Sequence, residues 1–222
     1  MKRVWRWLCV FLLLWLLVPF PVVLTLRVFE PPTTMLMLLH TVKRLGAGER
    51  PLYPRRHPVP LARISPDLRR AVLAAEDARF YRHYGFDFHE IASAVDDYER
   101  GKRLRGASTI TQQTAKNLFL WDGRSLLRKG LEAYLTLILE ILLRKDRILE
   151  IYLNLAEWGD AVFGAEMAAR VHYGKTAVSI TREEAAHLAA ILPNPRGWKV
   201  DHPAARRRAR IILQRLSDQV ER

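Results

Sequence analysis

Cysteine is almost absent: Cys9 is the only one, which excludes an internal disulfide framework and leaves the redox compartment open. Strand signals are scarce as well, since no alternating apolar–polar pattern runs longer than a few residues. Internal repeats are missing, which excludes a solenoid and leaves one domain of ordinary size plus an extra segment. Acidic residues are in deficit. The 23 Asp and Glu stand against 36 Lys and Arg, for a net charge of +13 and a pI near 10.4. That balance predicts an anionic partner, whether nucleic acid, an acidic membrane surface or a phosphorylated substrate. A hydrophobic share of 50% excludes a disordered chain.

Charge is missing altogether from residues 7–26, WLCVFLLLWLLVPFPVVLTL. In a helix rising about 1.5 Å per residue, a run of this length reaches roughly 30 Å, the thickness of a bilayer core. Pro19 and Pro21 are expected to kink or shorten it. Lys2, Arg3 and Arg6 precede the run, and only Arg27 follows before Lys43, which predicts a cytoplasmic N-terminus with the bulk of the chain outside. No small-x-small cleavage site follows, so the run reads as an uncleaved single-pass anchor. The expected organisation is therefore a stub and anchor over 1–27, a linker over 28–59 and a domain over 60–222. The linker is rich in proline (Pro31, Pro32, Pro51, Pro54, Pro58, Pro60) and contains the apolar run Met35 to Leu39. That run suits either the membrane surface or a face of the domain behind it.

From Ser65 onward the reading is helical. Ser65 and Pro66 start a helix in which Leu68, Val72 and Ala75 share a face. Ile91, Ala94, Val95 and Tyr98 mark a short amphipathic helix, and Gly101 to Gly106 is a basic loop. Thr109 to Gln112 is a capping box that opens a helix carrying Gln113 and Lys116. Asp122-Gly123 is a turn, and Ser125 caps a long helix to about Arg144 with an apolar stripe at Leu127, Leu131, Tyr134, Leu135, Ile138 and Leu142. Lys145 to Asn154 resumes helix after a break. Thr181 to Glu184 is a second capping box, ended by Pro193 and Pro195, and Pro203 begins a last, very basic helix.

Two places carry more chemistry than folding needs. In EDARFYRHYG, Glu76 to Gly85, the first two residues are adjacent carboxylates at a helix C-terminus, where the dipole disfavours negative charge. On the long helix, Glu132 sits at spacings of four and three from Arg128 and Lys129, on an element with little polar face to spare. Between them lies GASTITQQTAKN, where hydroxyls, amides and Lys116 gather at a helix start and suit a phosphate or a sugar. Other chemistries are excluded. Gly101 to Ser108 has the glycine spacing of a phosphate loop, but Ala107 replaces its lysine. His89-Glu90 lacks the second zinc histidine, because Ser93 stands there. Arg206, Arg207, Arg208 and Arg210 have no nucleic-acid motif beside them, so nucleic acid is not an expected partner.

Taken in order, EDARFYRHYG, GASTITQQ, RKGLE (Arg128 to Glu132) and KDRILEIYLN (Lys145 to Asn154) resemble the signature blocks of the peptidoglycan glycosyltransferases, glycosyltransferase family 51. A weaker fifth block is matched by Arg208 to Leu213, with Ile212 in place of valine. The resemblance spans about residues 60–215 and brings no transpeptidase domain, as in the monofunctional members. It implies an all-α, lysozyme-like head that polymerises lipid II at the outer face of a bacterial inner membrane. In such a reaction the 4-hydroxyl of lipid II attacks the anomeric carbon of a growing chain held on undecaprenyl pyrophosphate. Inversion gives a β-1,4 bond.

The same resemblance implies roles. Glu76 is the general base, and Glu132 positions the donor phosphate through neighbouring cations or through Mg2+ or Mn2+. Lys116, Arg124, Arg128 and Lys129 bind phosphate, and Ser108, Gln112 and Gln113 line the subsites. Asp77, Phe80, His83, Gly85, Thr109 and Asn154 support the motifs. No organic cofactor is implied. The implied partners are lipid II, the growing glycan, membrane lipids and proteins of cell-wall synthesis or division. Two other readings remain at this stage: a lysozyme-like lytic hydrolase, and a non-catalytic membrane scaffold that binds cell-wall precursors.

Overall fold

The structure is a computed structural model that describes residues 2–48, 55–102, 106–123 and 125–218, without the side chains of 8–15. Arg124, Pro51, Pro54 and the centre of the basic loop lie outside the described residues. The apolar N-terminal run is divided into α1 (Lys2–Leu17) and α2 (Pro19–Thr25). Val18 keeps helical dihedrals (φ −53°, ψ −40°), so the interruption comes from the prolines that follow it. Among the described residues no helix is long and apolar enough to cross a membrane. The distal end of the expected span belongs to the head: Val23 and Leu26 are buried in its core, and Arg27 Nε donates to Leu142 O at 2.7 Å.

The run Met35 to Leu39 begins α3 (Met35–Gly46), capped by Thr34. Met37 and His40 are buried, which places this helix against the head. Its C-terminal turn is basic, and Arg44 Nη1 and His40 Nε2 both reach Asp160, each at 2.9 Å. Within the expected linker, α3 is therefore packed on the head.

The head keeps the expected helices. Ser65 Oγ caps α4 (Pro66–Glu76), accepting from Asp67 N. α5 spans Phe88–Glu99, and α6 (Ile110–Phe119) carries the Thr109–Gln112 capping box intact. α7 (Leu126–Leu142) is capped by Ser125 and followed by α8 (Lys145–Leu155). Then come α9 (Ala165–Tyr173), α10 (Arg182–Ile191) with its own capping box, and α11 (Pro203–Asp218). α10 is the centre of one packing layer. Ala185, Ala186, Ala189 and Ala190 are all fully buried, and such small residues let α4 and α11 approach its backbone closely. α6, α7 and α8 form the other layer, around Ile110, Ile138, Leu139, Ile148 and Tyr152.

Three expectations need correction. The fold is mainly helical but not purely so: β1 (Arg55–Arg56), β2 (Glu157–Gly159) and β3 (Val162–Phe163) form a small sheet in the order β1-β3-β2. Strands this short leave no alternating pattern to read. Leu127 does not join the buried stripe of α7 but is 71% exposed at its N-terminal turn, ahead of the residues that face α6. On α5 the apolar face meets solvent, since Ile91, Val95 and Tyr98 are exposed and only Ala94 is buried. Periodicity finds a face, but it does not supply the neighbour that covers it.

Candidate active site

α4 ends at Glu76 with Asp77 as its C-cap, so both carboxylates stand at the negative end of the helix dipole. Two arginines of α11 offset that cost. Arg215 Nη1 donates to Ala74 O at 2.8 Å, while Arg208 Nη2 donates to Ala75 O at 3.0 Å and to Glu76 Oε1 at 2.9 Å. The last carbonyls of α4 are thus paired by cations from a helix more than a hundred residues away in sequence.

The two neighbours then part. Asp77 turns inward and accepts from His83 Nε2 (2.9 and 3.1 Å) and from the backbone N–H of Ile110 at 3.0 Å. It ties the end of α4 to the first turn of α6. Glu76 faces a cavity of about 680 Å³ whose wall includes Ser108, Thr109, Gln113, Pro193 and Arg208. Its Oε2 accepts from Gln113 Nε2 at 3.0 Å, and Gln113 Oε1 accepts from Tyr152 OH at 3.1 Å. Tyr152 therefore fixes the amide so that its N–H points at the carboxylate. Burial holds the Glu76 carboxyl above the ordinary carboxylate range, against the opposing Gln113 hydrogen bond and Arg208 charge. Burial, with the nearby Glu76 charge, also pushes the Tyr152 phenol well above its usual value, so it remains a donor.

Arg208 thus draws the Glu76 pKa back toward the ordinary carboxylate range. Without it Glu76 would ionise less readily, and a base loses activity as pH falls through its pKa. Arg208→Met is expected to move the acid limb of the kcat/KM profile to higher pH. An acid limb left in place would disprove this tuning role.

The second cluster lies on α7. Glu132 is buried, and its Oε2 accepts from Arg128 Nη1 at 2.6 Å while Oε1 accepts from Lys129 Nζ. Arg128 Nε also donates to Gly123 O at 2.8 Å, pinning the turn before the helix. Lys116 is half-buried on α6 and has no ion-pair partner among the described residues. Neither Glu132, Lys116, Arg128 nor Lys129 belongs to the wall around Glu76. The link is α6: Gln113 and Lys116 are three residues apart and share one helix face.

The other expected residues fall into supporting places. Ser108 is exposed on the cavity wall, whereas Gln112 is buried with its side-chain oxygen accepting from Thr109 N at 2.9 Å. Thr109 Oγ1 donates to Gly85 O at 2.6 Å. Gly85 has φ +83°, and a Cβ there would lie 2.6 Å from Thr136 Cγ2, so only glycine fits. Phe80 is buried beneath Lys145, whose Nζ lies 4.4 Å from the ring centroid. Asn154 is fully buried and joins α8 to the chain at Val59 through Val59 N (3.0 Å) and Val59 O (2.9 Å). Arg124 lies outside the described residues.

Both oxygens of Glu132 accept from cations, so a Mg2+ or Mn2+ ion would meet a single carboxylate already shared with two positive charges. The donor set as it stands does not fit a resident ion. Among the described residues, Asp77, His83 and Asp87 converge, as do His40, Glu157 and Asp160. These groups are already committed to protein partners: Asp77 to His83 and Ile110, Asp87 to the first turn of α5, and Glu157 to Arg196.

Fold and site together define a helical enzyme with a largely desolvated carboxylate in a cleft and a cation cluster on the adjoining helices. The chain belongs to the transglycosylase family, whose profile, described as Transglycosylase, matches residues 45–217. A biosynthetic peptidoglycan transglycosylase of Pseudomonas fluorescens strain SBW25 is 53% identical over 197 residues, covering 88% of this chain and 82% of its own. One from Pseudomonas putida strain W619 is 51% identical over 183 residues, covering 82% and 77%. Arg208 and Tyr152 are the site residues that the sequence reading did not single out. Both lie inside recognised blocks, Arg208 in the weak fifth and Tyr152 in KDRILEIYLN, so the signal was present without an assigned role.

Proposed function

We propose that this protein polymerises the glycan chains of peptidoglycan from lipid II, as a monofunctional enzyme. The observation that carries the reading is Glu76: a largely but not fully buried carboxylate, raised in basicity, held between a fixed amide and a guanidinium in the wall of a cleft. In this reading Glu76 takes the proton from the 4-hydroxyl of the acceptor as that oxygen attacks the anomeric carbon of the donor. The carbon–oxygen bond to the pyrophosphate breaks with inversion, and a β-1,4 bond forms. The departing pyrophosphate already carries negative charge and needs cations rather than a proton. Lys116, Arg128, Lys129 and Arg124 supply them, and Glu132 holds Arg128 and Lys129 in place. A half-buried lysine with no ion-pair partner among the described residues, as Lys116 is, favours an anionic ligand over a purely structural role.

The lysozyme-like hydrolase reading asks for a second carboxyl near the first as acid or nucleophile. Glu132 is neutralised by two cations and does not suit that task. Membrane attachment is part of the proposal. α1 and α2 supply the apolar segment, with Lys2, Arg3 and Arg6 at its N-terminal end, and Leu126, Leu127 and Ile141 of α7 are exposed. In this reading the head lies at the outer face of the inner membrane, where lipid-linked substrates lie, and the basic residues ahead of the apolar run support that orientation. The test uses the full chain in detergent with labelled lipid II, read by gel. Polymer is expected to accumulate, and a preformed glycan to keep its length. Shortening of the glycan without polymer would overturn the reading.

A further inference from the structure

Lys43 lies near the end of α3, just before the segment matched by the family profile. Its Nζ reaches 79 residues along the chain to Asp122 Oδ2, at 2.5 Å. Both side chains are about half exposed, 53% and 52%, so the pair does little to hold the fold. Nor is it needed to attach α3, which is already fixed by buried Met37, by His40 and by the Arg44–Asp160 pair. What distinguishes Asp122 is its surroundings. It sits in the turn whose next residue, Gly123, is pinned by Arg128 Nε. Lys43, Lys116 and Arg196 all act on it, and the Lys43 hydrogen bond foremost holds its carboxyl below the usual range. Arg196 is spent in a bidentate pair with Glu157, at 2.8 and 2.9 Å. Among the described residues, Asp122 is a half-exposed carboxylate that pairs with Lys43 and lies in the field of Lys116.

We propose that Lys43 is a further ligand of the donor's pyrophosphate and that Asp122 is an internal stand-in anion, holding Lys43 in place until the pyrophosphate displaces it. The inference rests on the donor side assigned above to Lys116, Arg128 and Lys129. A dianionic pyrophosphate outcompetes one carboxylate for two lysines, and an exposed pair exchanges at low cost. α3 thereby joins the N-terminal apolar segment to the reaction's leaving group.

The two partners should act with opposite signs. With the full-length chain in detergent, binding of farnesyl pyrophosphate is measured by calorimetry, with farnesol as the uncharged control. Lys43→Met is expected to weaken binding about tenfold, the scale of one charged hydrogen bond. Asp122→Asn, which removes the competing anion, is expected to strengthen it. The double variant should behave like Lys43→Met. If both single variants weaken binding alike, the pair is a structural latch and the proposal fails; it fails equally if neither has an effect. Polymer formation from lipid II separates this from the reading of function: polymer made while Lys43→Met binds normally overturns only the role of Lys43. Farnesyl pyrophosphate bound as expected with no polymer formed overturns the polymerase reading instead.

Discussion

Glu76→Gln is expected to lower polymerisation of lipid II by about 10²–10⁴-fold, the usual contribution of a positioned base. The amide keeps the size of the carboxylate but only one acceptor oxygen, so one of Arg208 and Gln113 loses its acceptor while the cleft keeps its outline. Stability moves the other way, if at all. Burial raises this carboxyl's pKa in the folded state, so its contribution to stability is fully present below the unfolded pKa and lost as pH rises through the folded one. Because burial disfavours the charged form, a neutral amide removes that cost, and the glutamine variant should melt no lower. Gel analysis of labelled lipid II alongside a thermal melt checks both halves. Turnover retained within a few-fold would remove Glu76 from the role of base.

Its neighbour should give the opposite result. Asp77→Ala is expected to destabilise the head by roughly 2–4 kcal/mol, because the buried Ile110 N–H and His83 Nε2 both lose their acceptor. Asp77→Asn retains one oxygen and should fall between. Denaturant unfolding measures the loss, and activity should follow the folded fraction. If Asp77→Ala unfolds at the wild-type midpoint while turnover disappears, Asp77 takes part in the chemistry and the division of labour between the two carboxylates is wrong.

That division was partly legible in advance. Two carboxylates at a helix C-terminus conflict with the dipole, and such conflict marks a site that something else must compensate. The compensation was not legible. Arg208 and Arg215 come from α11, and their spacing in sequence says only that the last helix is basic. Gln113 and Gln112 show the same limit: adjacent amides in one block, of which one caps its own helix and the other meets Glu76. The turn of the helix separates them by about 100°, but which direction holds the cleft depends on α4 and α8.

By itself the sequence determined the helical class, the caps at Ser65, Thr109, Ser125 and Thr181, the order of the blocks and the family they signal. These rest on local interactions within a few residues, or on long ordered matches that chance does not produce. The tertiary structure alone decided which charges meet. It brought Arg208 to Glu76, drew Lys43 across to Asp122, folded α3 and the end of the apolar run onto the head, and left one face of α5 in solvent. Pairings between distant segments follow from how helices pack, and packing is set by the whole core at once.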